Sequence, residues 1–300
     1  MTYTEVKIKN GNKYYYRVKS VREGARVRKQ RKYLGKNLSK QKLGKLEQEA
    51  DQELMFLKNI LTKQEILFLK KIKQDFLKEP RATFENRQEA FCALFTYNSN
   101  AIEGNTLTLQ ETAALLFDQR VPAQKSLREI NEALNHKKAF EHILEYKEDI
   151  TRNFICKLHE LVIKDTLKPD LTSQVGRYRT VQVYIRGVED IPPKPGEVPK
   201  EMRNLLSWYS RNKNTIHPLV VAAYFHTGFE LIHPFVDGNG RVGRLLMNFI
   251  LHKNKYPMIN IPNKKKLKYY EALHQAQNKG KLRPFIELLL SLLKESRIRF

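Results

Sequence analysis

The stretch His233–Arg244 reads His-Pro-Phe-Val-Asp-Gly-Asn-Gly-Arg-Val-Gly-Arg and is the most informative part of the chain. Apolar residues precede it and recur at helical spacing after it, which predicts a loop that opens a helix. Gly238 and Gly240 can adopt positive φ, so consecutive backbone N–H groups can point toward one anion. The N-terminus of the following helix favours the same negative charge. The stretch therefore predicts an anion site at the start of a helix.

Four side chains add a base, an acid and two cations to this predicted site. Arg241 and Arg244 are three residues apart, so they share a face of the first helical turns. His233 supplies an imidazole and Asp237 a carboxylate. A polyphosphate suits this set, because guanidinium groups bind phosphate oxygens in pairs. The alternative is a glycine turn between two core helices, but a chance match at all eight fixed positions has a probability on the order of 1 in 10^10.

The pattern His-x-Phe-x-Asp-Gly-Asn-Gly-Arg-x-x-Arg resembles the signature of the Fic family (filamentation induced by cAMP), whose members mostly transfer AMP from ATP to a protein hydroxyl. The resemblance implies a mainly α fold, a Fic-type helical bundle with a β-hairpin flap. It implies His233 as the catalytic base, Asp237 as the ligand of Mg²⁺, ATP as a substrate and a target protein as the acceptor. The implied nucleotide-binding residues are Gly238, Asn239, Gly240, Arg241 and Arg244.

Residues 99–104, Ser-Asn-Ala-Ile-Glu-Gly, end a predicted helix that begins near Phe84. Gly104 can supply the left-handed residue that follows a helix. The spacing Ser-x-x-x-Glu-Gly resembles the inhibitory motif of the family. The resemblance implies that Glu103 pairs with Arg244 and repels an incoming polyphosphate. The alternative is an ordinary capping glutamate.

A strand pattern follows Gly176-Arg177-Tyr178-Arg179, and Arg186-Gly187 offers a turn, so the pattern predicts a hairpin. In the family a comparable flap pairs with an extended stretch of the target by strand addition. The alternative is a structural loop. The implied target-binding residues of the flap are Val181, Gln182, Val183, Tyr184 and Ile185.

In relatives a tyrosine and an asparagine after the signature helix line the adenine pocket, which implies nucleotide contacts for Tyr270 and Asn278. The alternative is a core role, since aromatic residues at helical spacing are most often buried.

The histidines outside the signature lack the spacing of a metal site and are predicted to be core or surface residues. Those considered are His136, His142, His159 and His226. Further predicted helices are Thr108–Phe117, Leu127–Tyr146, Thr151–Lys164, Val198–Arg211, Pro218–Leu231 and Pro284–Leu293.

The first 40 residues hold 13 Lys/Arg and 2 Asp/Glu, a large share of the formal net charge of +23. Residues 1–36 predict a small basic three-stranded antiparallel β module, with turns at Asn10-Gly11 and at Gly24. Tyr14, Tyr15 and Tyr16 among cations are compatible with nucleic acid or another acidic partner. The alternative is a solvated sheet whose tyrosines pack on the next helix.

The rest of the chain predicts a helical arm or linker at 37–80 and the Fic domain at 81–300. The 300 residues are 41% hydrophobic, with two cysteines and no apolar run long enough for a membrane span, so we expect a cytoplasmic protein without disulfides or membrane contact. A homo-oligomer is compatible with the sequence. Rival functions are removal of AMP, transfer of another nucleotide or phospho group on the same fold, and a nucleic-acid-binding regulator that uses the basic module.

Overall fold

The structure is a computed structural model that describes residues 2–23, 26–53, 57, 60–185 and 190–296. The chain forms two compact units, Met1–Lys63 and Gln64–Phe300. Their division falls inside the segment that the sequence predicts to be an arm. The predicted domain boundaries after residues 36 and 80 stay predictions.

The first unit contains an antiparallel sheet of three strands, which confirms the predicted meander. A two-residue turn joins the first two strands. Its residues Asn10 and Gly11 have φ values of 50° and 70°, and a type I′ hairpin turn requires positive φ at both positions. The second predicted turn, at Gly24, lies outside the described residues. The elements are β1 (Thr2–Lys9), β2 (Asn12–Glu23), β3 (Arg26–Lys36) and helix α1 (Lys40–Glu53).

The second unit is helical where it is described. The predicted helices are confirmed, and their ends differ from the predicted ones by at most three residues. Among the described residues, no helix has the length and apolar character needed to cross a bilayer. The helices are α2 (Lys63–Leu77), α3 (Arg81–Ile102), α4 (Leu109–Phe117), α5 (Leu127–Glu145), α6 (Arg152–Ile163), α7 (Val198–Asn212), α8 (Pro218–Ile232), α9 (Asn239–Lys253), α10 (Lys266–Lys279) and α11 (Arg283–Glu295).

Helix α9 is the central helix of the second unit. It packs against α3, α5, α6 and α8, and nearly all of its residues are buried. A helix that is surrounded in this way belongs to the core. The neighbouring helices therefore fix its N-terminus and the loop before it.

Candidate active site

His233 ends α8 in the left-handed conformation, with φ 50° and ψ 61°. Its backbone N–H donates to the carbonyl of Phe229 at 2.9 Å, so the residue stays attached to the helix. A positive φ outside glycine is uncommon and is found preferentially at functional sites. Here it turns the chain from α8 into the loop that leads to α9.

The side chain of Asn239 closes this loop. Its Oδ1 accepts from the N–H of Phe235 at 2.9 Å, and its Nδ2 donates to the carbonyl of the same residue at 2.8 Å. The fully buried Phe235 ring stacks on His159 at a centroid distance of 3.7 Å. Asn239 is thus committed to holding the loop, and its predicted contact with a nucleotide stays a prediction.

His159 braces the loop from α6. Its Nδ1 accepts from the N–H of Gly176 at 3.0 Å, so its Nε2 carries the proton and donates to the carbonyl of Asp237 at 3.2 Å. Burial lowers the pKa of His159 to about 3, which keeps the ring neutral. The prediction of core histidines is confirmed for His159, His136 and His226, which are all fully buried.

The two glycines of the loop have different roles: glycine is required at Gly238, and the absence of a side chain at Gly240 leaves room for a carboxylate. Gly238 has φ 78°, and a Cβ there would lie 2.7 Å from the side chain of Ile163. A Cβ at Gly240 would lie 2.2 Å from Oε1 of Glu103. The carboxylate of Glu103 therefore lies against the N-terminus of α9, where the helix dipole favours a negative group.

Glu103 and Arg244 form the ion pair that the family resemblance implies. Nη2 of Arg244 donates to Oε1 of Glu103 at 2.7 Å. The same guanidinium donates from Nε to Oγ of Ser99 at 3.0 Å and from Nη2 to its carbonyl at 2.8 Å. Nη1 of the buried Arg244 has no hydrogen-bond partner among the described residues. The last residues of α3 thus hold one of the two arginines in place.

Arg241 is equally buried but poorly satisfied. Its Nη1 lies 3.5 Å from Oε1 of Glu132, and its Nη2 lies 3.4 Å from Oδ1 of Asp237. Nε and Nη1 make no hydrogen bond within the described part of the chain. A buried unsatisfied donor is costly, which favours a bound anion at this place.

Glu132 is a site residue that sequence reasoning missed. Besides its contact with Arg241, it accepts from Nδ2 of Asn105 at 2.9 Å and from Nε of Arg128 at 3.1 Å. It shares a face of α5 with the buried His136 and Phe140. The signal that could have identified Glu132 is an acidic residue at a position where the helical periodicity predicts burial.

Asp237 presents the most accessible carboxylate of the loop, with 36% of its side chain exposed. It accepts from Nη2 of Arg128 at 3.1 Å and from the N–H of Gly238 at 2.6 Å. The described residues contain no cluster of three or more potential metal ligands. Mg²⁺ is commonly bound by one or two carboxylates together with substrate phosphates and water. An accessible carboxylate beside an anion pocket fits that mode of binding.

The imidazole of His233 is arranged to accept a proton. Its Nδ1 lies 3.3 Å from the carbonyl of Glu230, to which Nδ1–H can donate, and Nε2 is then the basic nitrogen. Burial lowers the pKa of His233, although this hydrogen bond opposes the shift. The ring is therefore neutral at physiological pH.

Arg179, which sequence reasoning also missed, fixes the backbone next to His233. Its Nε donates to the carbonyl of His233 at 2.8 Å, and its N–H donates to the carbonyl of Pro234 at 2.9 Å. The side chain is nearly fully buried. The two residues are 54 positions apart in the chain, and no local pattern points to their contact.

The predicted hairpin of the flap is corrected by the structure. Residues 181–185 form no strand, and the predicted turn at Arg186-Gly187 lies outside the described residues. Side chains connect the two limbs in place of a strand ladder. Nη2 of Arg179 donates to the carbonyl of Pro193, and Nε2 of Gln182 donates to that of Pro192 at 3.1 Å. The alternation of apolar residues was therefore insufficient evidence for a strand.

Tyr270 and Asn278 lie on the same helix, α10, but in different surroundings. Tyr270 is 40% exposed. Burial and then the charge of Glu103 raise its pKa to about 12, so the ring lies within the electrostatic reach of the anion pocket. Asn278 is exposed and contacts Asp190 and His274. Their predicted contacts with a nucleotide stay predictions.

Glu230 is a buried acid that precedes His233 by one helical turn. A Cβ at Gly243 would meet Oε1 of Glu230 and the ring of His226, so the absence of a side chain at Gly243 leaves room for this acid. Burial raises the pKa of Glu230 to about 8, against the opposing charge of Arg244 and with a contribution from Glu103. The carboxyl group is therefore largely protonated at neutral pH.

Glu230→Gln is expected to remove part of the pH dependence of stability. Because the folded pKa of about 8 lies above the ordinary value of about 4.3, Glu230 stabilises the fold fully below pH 4 and loses this contribution as the pH rises to about 8. The free energy of unfolding, measured with urea, should fall by several kcal/mol between about pH 5 and about pH 9 in the wild type and by less in the variant. Glu160→Gln, a change of an exposed glutamate, is the matched control. Equal falls in wild type and Glu230→Gln would contradict the assignment.

Known proteins share this sequence and fold. The family model described as Fic/DOC family matches residues 149–251, which include the loop and most of α9. A curated relative from Nematostella vectensis, named protein adenylyltransferase Fic, is 37% identical over 198 residues, which cover 64% of this chain and 45% of the relative. Its namesake from Drosophila melanogaster is 40% identical and is covered to 39%. The chain thus spans less than half the length of these curated relatives.

Two solved structures resemble the chain over most of its length. A Fic domain containing signaling protein from Bacteroides thetaiotaomicron is 31% identical with a TM-score of 0.68, and the match covers 76% of this chain and 93% of that protein. Fic-1 from C. elegans is 28% identical with a TM-score of 0.67, and the match covers 86% of this chain and 75% of that one. By sequence and by structure, the chain belongs to the Fic/DOC family.

Proposed function

We propose that this protein is an adenylyltransferase that transfers AMP from ATP to a Ser, Thr or Tyr hydroxyl of a target protein and is inhibited by Glu103. The observation that carries the proposal is the position of two buried arginines and a neutral histidine around the N-terminus of α9. The names of the curated relatives support the same activity.

His233 is the general base of the proposed reaction. The target hydroxyl attacks the α-phosphorus of ATP, a new O–P bond forms, and the bond between the α-phosphorus and the bridging oxygen breaks. Pyrophosphate leaves with the electron pair of that bond, and Nε2 of His233 takes the hydroxyl proton. The hydrogen bond from Nδ1 to the carbonyl of Glu230 keeps the ring in the required tautomer.

The phosphates are bound by the N-terminus of α9 and by its two arginines. At Gly240 the absence of a side chain leaves room for the oxygens of a carboxylate, and we propose that phosphate oxygens use the same space. The unsatisfied donors of Arg241 and Arg244 supply charge-assisted hydrogen bonds to the β- and γ-phosphates. Stabilisation of charge in this way is the main contribution of a protein to phosphoryl-type transfer.

Asp237 is the residue that would hold Mg²⁺. When bound, the metal ion supplies positive charge to the phosphates of the nucleotide. The contacts of Asp237 with Arg128 and Arg241 are compatible with this role, because part of the carboxylate remains exposed to solvent.

Glu103 inhibits by competing with the nucleotide. Its carboxylate already occupies the helix N-terminus and binds Arg244, the arginine assigned to the γ-phosphate. ATP must displace this carboxylate before its phosphates can bind there. The flap residues 181–185, which form no sheet with the rest of the described chain, are available to pair with an extended segment of the target.

Parallel labelling with several nucleotides tests the donor and the direction of transfer. The protein is incubated with labelled ATP, UTP or CDP-choline and a cell lysate, and separately with an AMP-modified lysate. We expect ATP to label a protein target, because the pocket suits a polyphosphate and the curated relative is named an adenylyltransferase. If UTP or CDP-choline labels a protein and ATP does not, ATP is not the donor. If the modified lysate loses AMP and ATP labels no protein, the protein removes AMP from its target and does not transfer it.

A further inference from the structure

One face of the sheet in the first unit carries a cluster of tyrosines and cations. Tyr14 and Tyr16 alternate along β2 and therefore lie on the same face. The ring of Tyr33 on β3 lies 6.4 Å from the first and 5.3 Å from the second, between centroids. Nζ of Lys7 lies 5.5 Å from the ring centre of Tyr16, and Nζ of Lys36 lies 5.9 Å from that of Tyr14. We call these five residues the tyrosine face.

Helix α1 packs on the opposite face of the sheet. Thr4 and Arg17 are cross-strand neighbours that alternate with the residues of the tyrosine face. Both contact Glu47 of α1, Thr4 by a hydrogen bond and Arg17 by an ion pair at 3.6 Å. The tyrosine face is therefore turned away from α1, and Tyr33 is 50% exposed.

The charge around the tyrosine face is positive. Lys7, Lys9 and Lys36 are exposed, and Lys9 follows Lys7 at the spacing that keeps both on one face. Arg31 is 44% exposed and pairs with Glu5 at 2.7 Å, so one acid is opposed by four cations. A surface of this composition attracts polyanions.

We propose that the tyrosine face binds a single-stranded nucleic acid, with unpaired bases stacked on the tyrosine rings and phosphates bound by the lysines. A basic surface alone would suit any polyanion. Clustered aromatic rings add a contact that only exposed bases can use, since the bases of a duplex are stacked on one another. The charge and the rings together therefore favour a single strand over a duplex or an acidic protein.

Fluorescence anisotropy on the full chain tests this proposal. The probes are labelled single strands of about 12 nucleotides, as DNA and as RNA, and the duplex of the same sequence. Tyr33→Leu, which keeps apolar bulk and removes the aromatic ring, should weaken single-strand binding about 5- to 100-fold. Tyr33→Phe, which keeps the ring, should bind like the wild type. Phe117→Leu, at a partly exposed ring of the second unit with Lys137 5.6 Å from its centre, is the matched control and should bind like the wild type.

The salt dependence separates phosphate contacts from stacking. Replacing Lys7 and Lys36 by glutamine should lower the slope of log K against log salt by about 0.7 for each lysine. Lys200→Gln, on the exposed side of α7, should leave the slope unchanged. The proposal is overturned if Tyr33→Leu binds single strands as tightly as the wild type. Competition by the duplex, heparin or polyglutamate at the concentration at which an unlabelled single strand competes would also overturn it.

Discussion

Glu103→Gly is expected to raise ATP-dependent self-labelling about 10- to 100-fold. A charge-assisted hydrogen bond such as that between Glu103 and Arg244 contributes about 1.5–3 kcal/mol, and the nucleotide no longer has to displace it in the variant. The gain also includes the loss of repulsion between the carboxylate and the phosphates. Incorporation of labelled AMP over time in wild type and variant, with Mg²⁺ present, measures the effect.

Two further variants separate the charge of Glu103 from its shape. Glu103→Gln keeps the size of the side chain and a hydrogen-bond acceptor, so it should give a smaller rise than glycine. Glu160→Gln removes an exposed carboxylate on α6 and should leave labelling unchanged. If Glu103→Gly labels no faster than the wild type, the inhibitory role is wrong, while the nucleotide site of α9 still stands.

His233→Ala, introduced together with Glu103→Gly, should lower labelling by about 10²- to 10⁴-fold, the usual contribution of a general base. Burial lowers the pKa of His233, so the base is already neutral at pH 7. The rate of the Glu103→Gly protein should therefore fall only as the pH drops below the ordinary range of histidine pKa values. The measurement is the initial rate of AMP incorporation at saturating ATP over a series of pH values.

The control for His233→Ala is His142→Ala, which removes a half-buried imidazole from α5. Labelling by that variant should match the parent protein. Substantial labelling by the His233→Ala protein, with a pH profile like that of its parent, would show that another group takes the proton.

Local patterns were sufficient to predict the helices, the three-stranded sheet and the signature loop. Two adjacent residues that tolerate positive φ, Asn10 and Gly11, predict the first hairpin, and the structure places both at positive φ. The apolar periodicity that predicts the helix after the signature rests on Leu245, Leu246, Met247 and Ile250. All four are buried in α9. The pair of Glu103 and Arg244 followed from the family resemblance, since the residues are 141 positions apart.

The supporting contacts of the site could not be predicted, because they depend on tertiary packing. Arg179 reaches the carbonyl of His233 only after the segment before the flap folds back on the loop. Glu132 and Glu230 are buried glutamates, and a single sequence gives no direct measure of burial for a charged residue. The flap was predicted as a strand from alternation alone, but its backbone makes no ladder in the described residues. Side chains of Arg179 and Gln182 connect its limbs there.

Calorimetric titration with Mg²⁺ and ATP tests most directly whether the N-terminus of α9 binds the nucleotide in competition with Glu103. His233→Ala, which cannot turn over, is compared with the same protein carrying Glu103→Gly. We predict about 10- to 100-fold tighter binding of ATP by the second protein, and a smaller gain for AMP, which lacks the β- and γ-phosphates. Equal affinities of the two proteins for ATP would contradict the account.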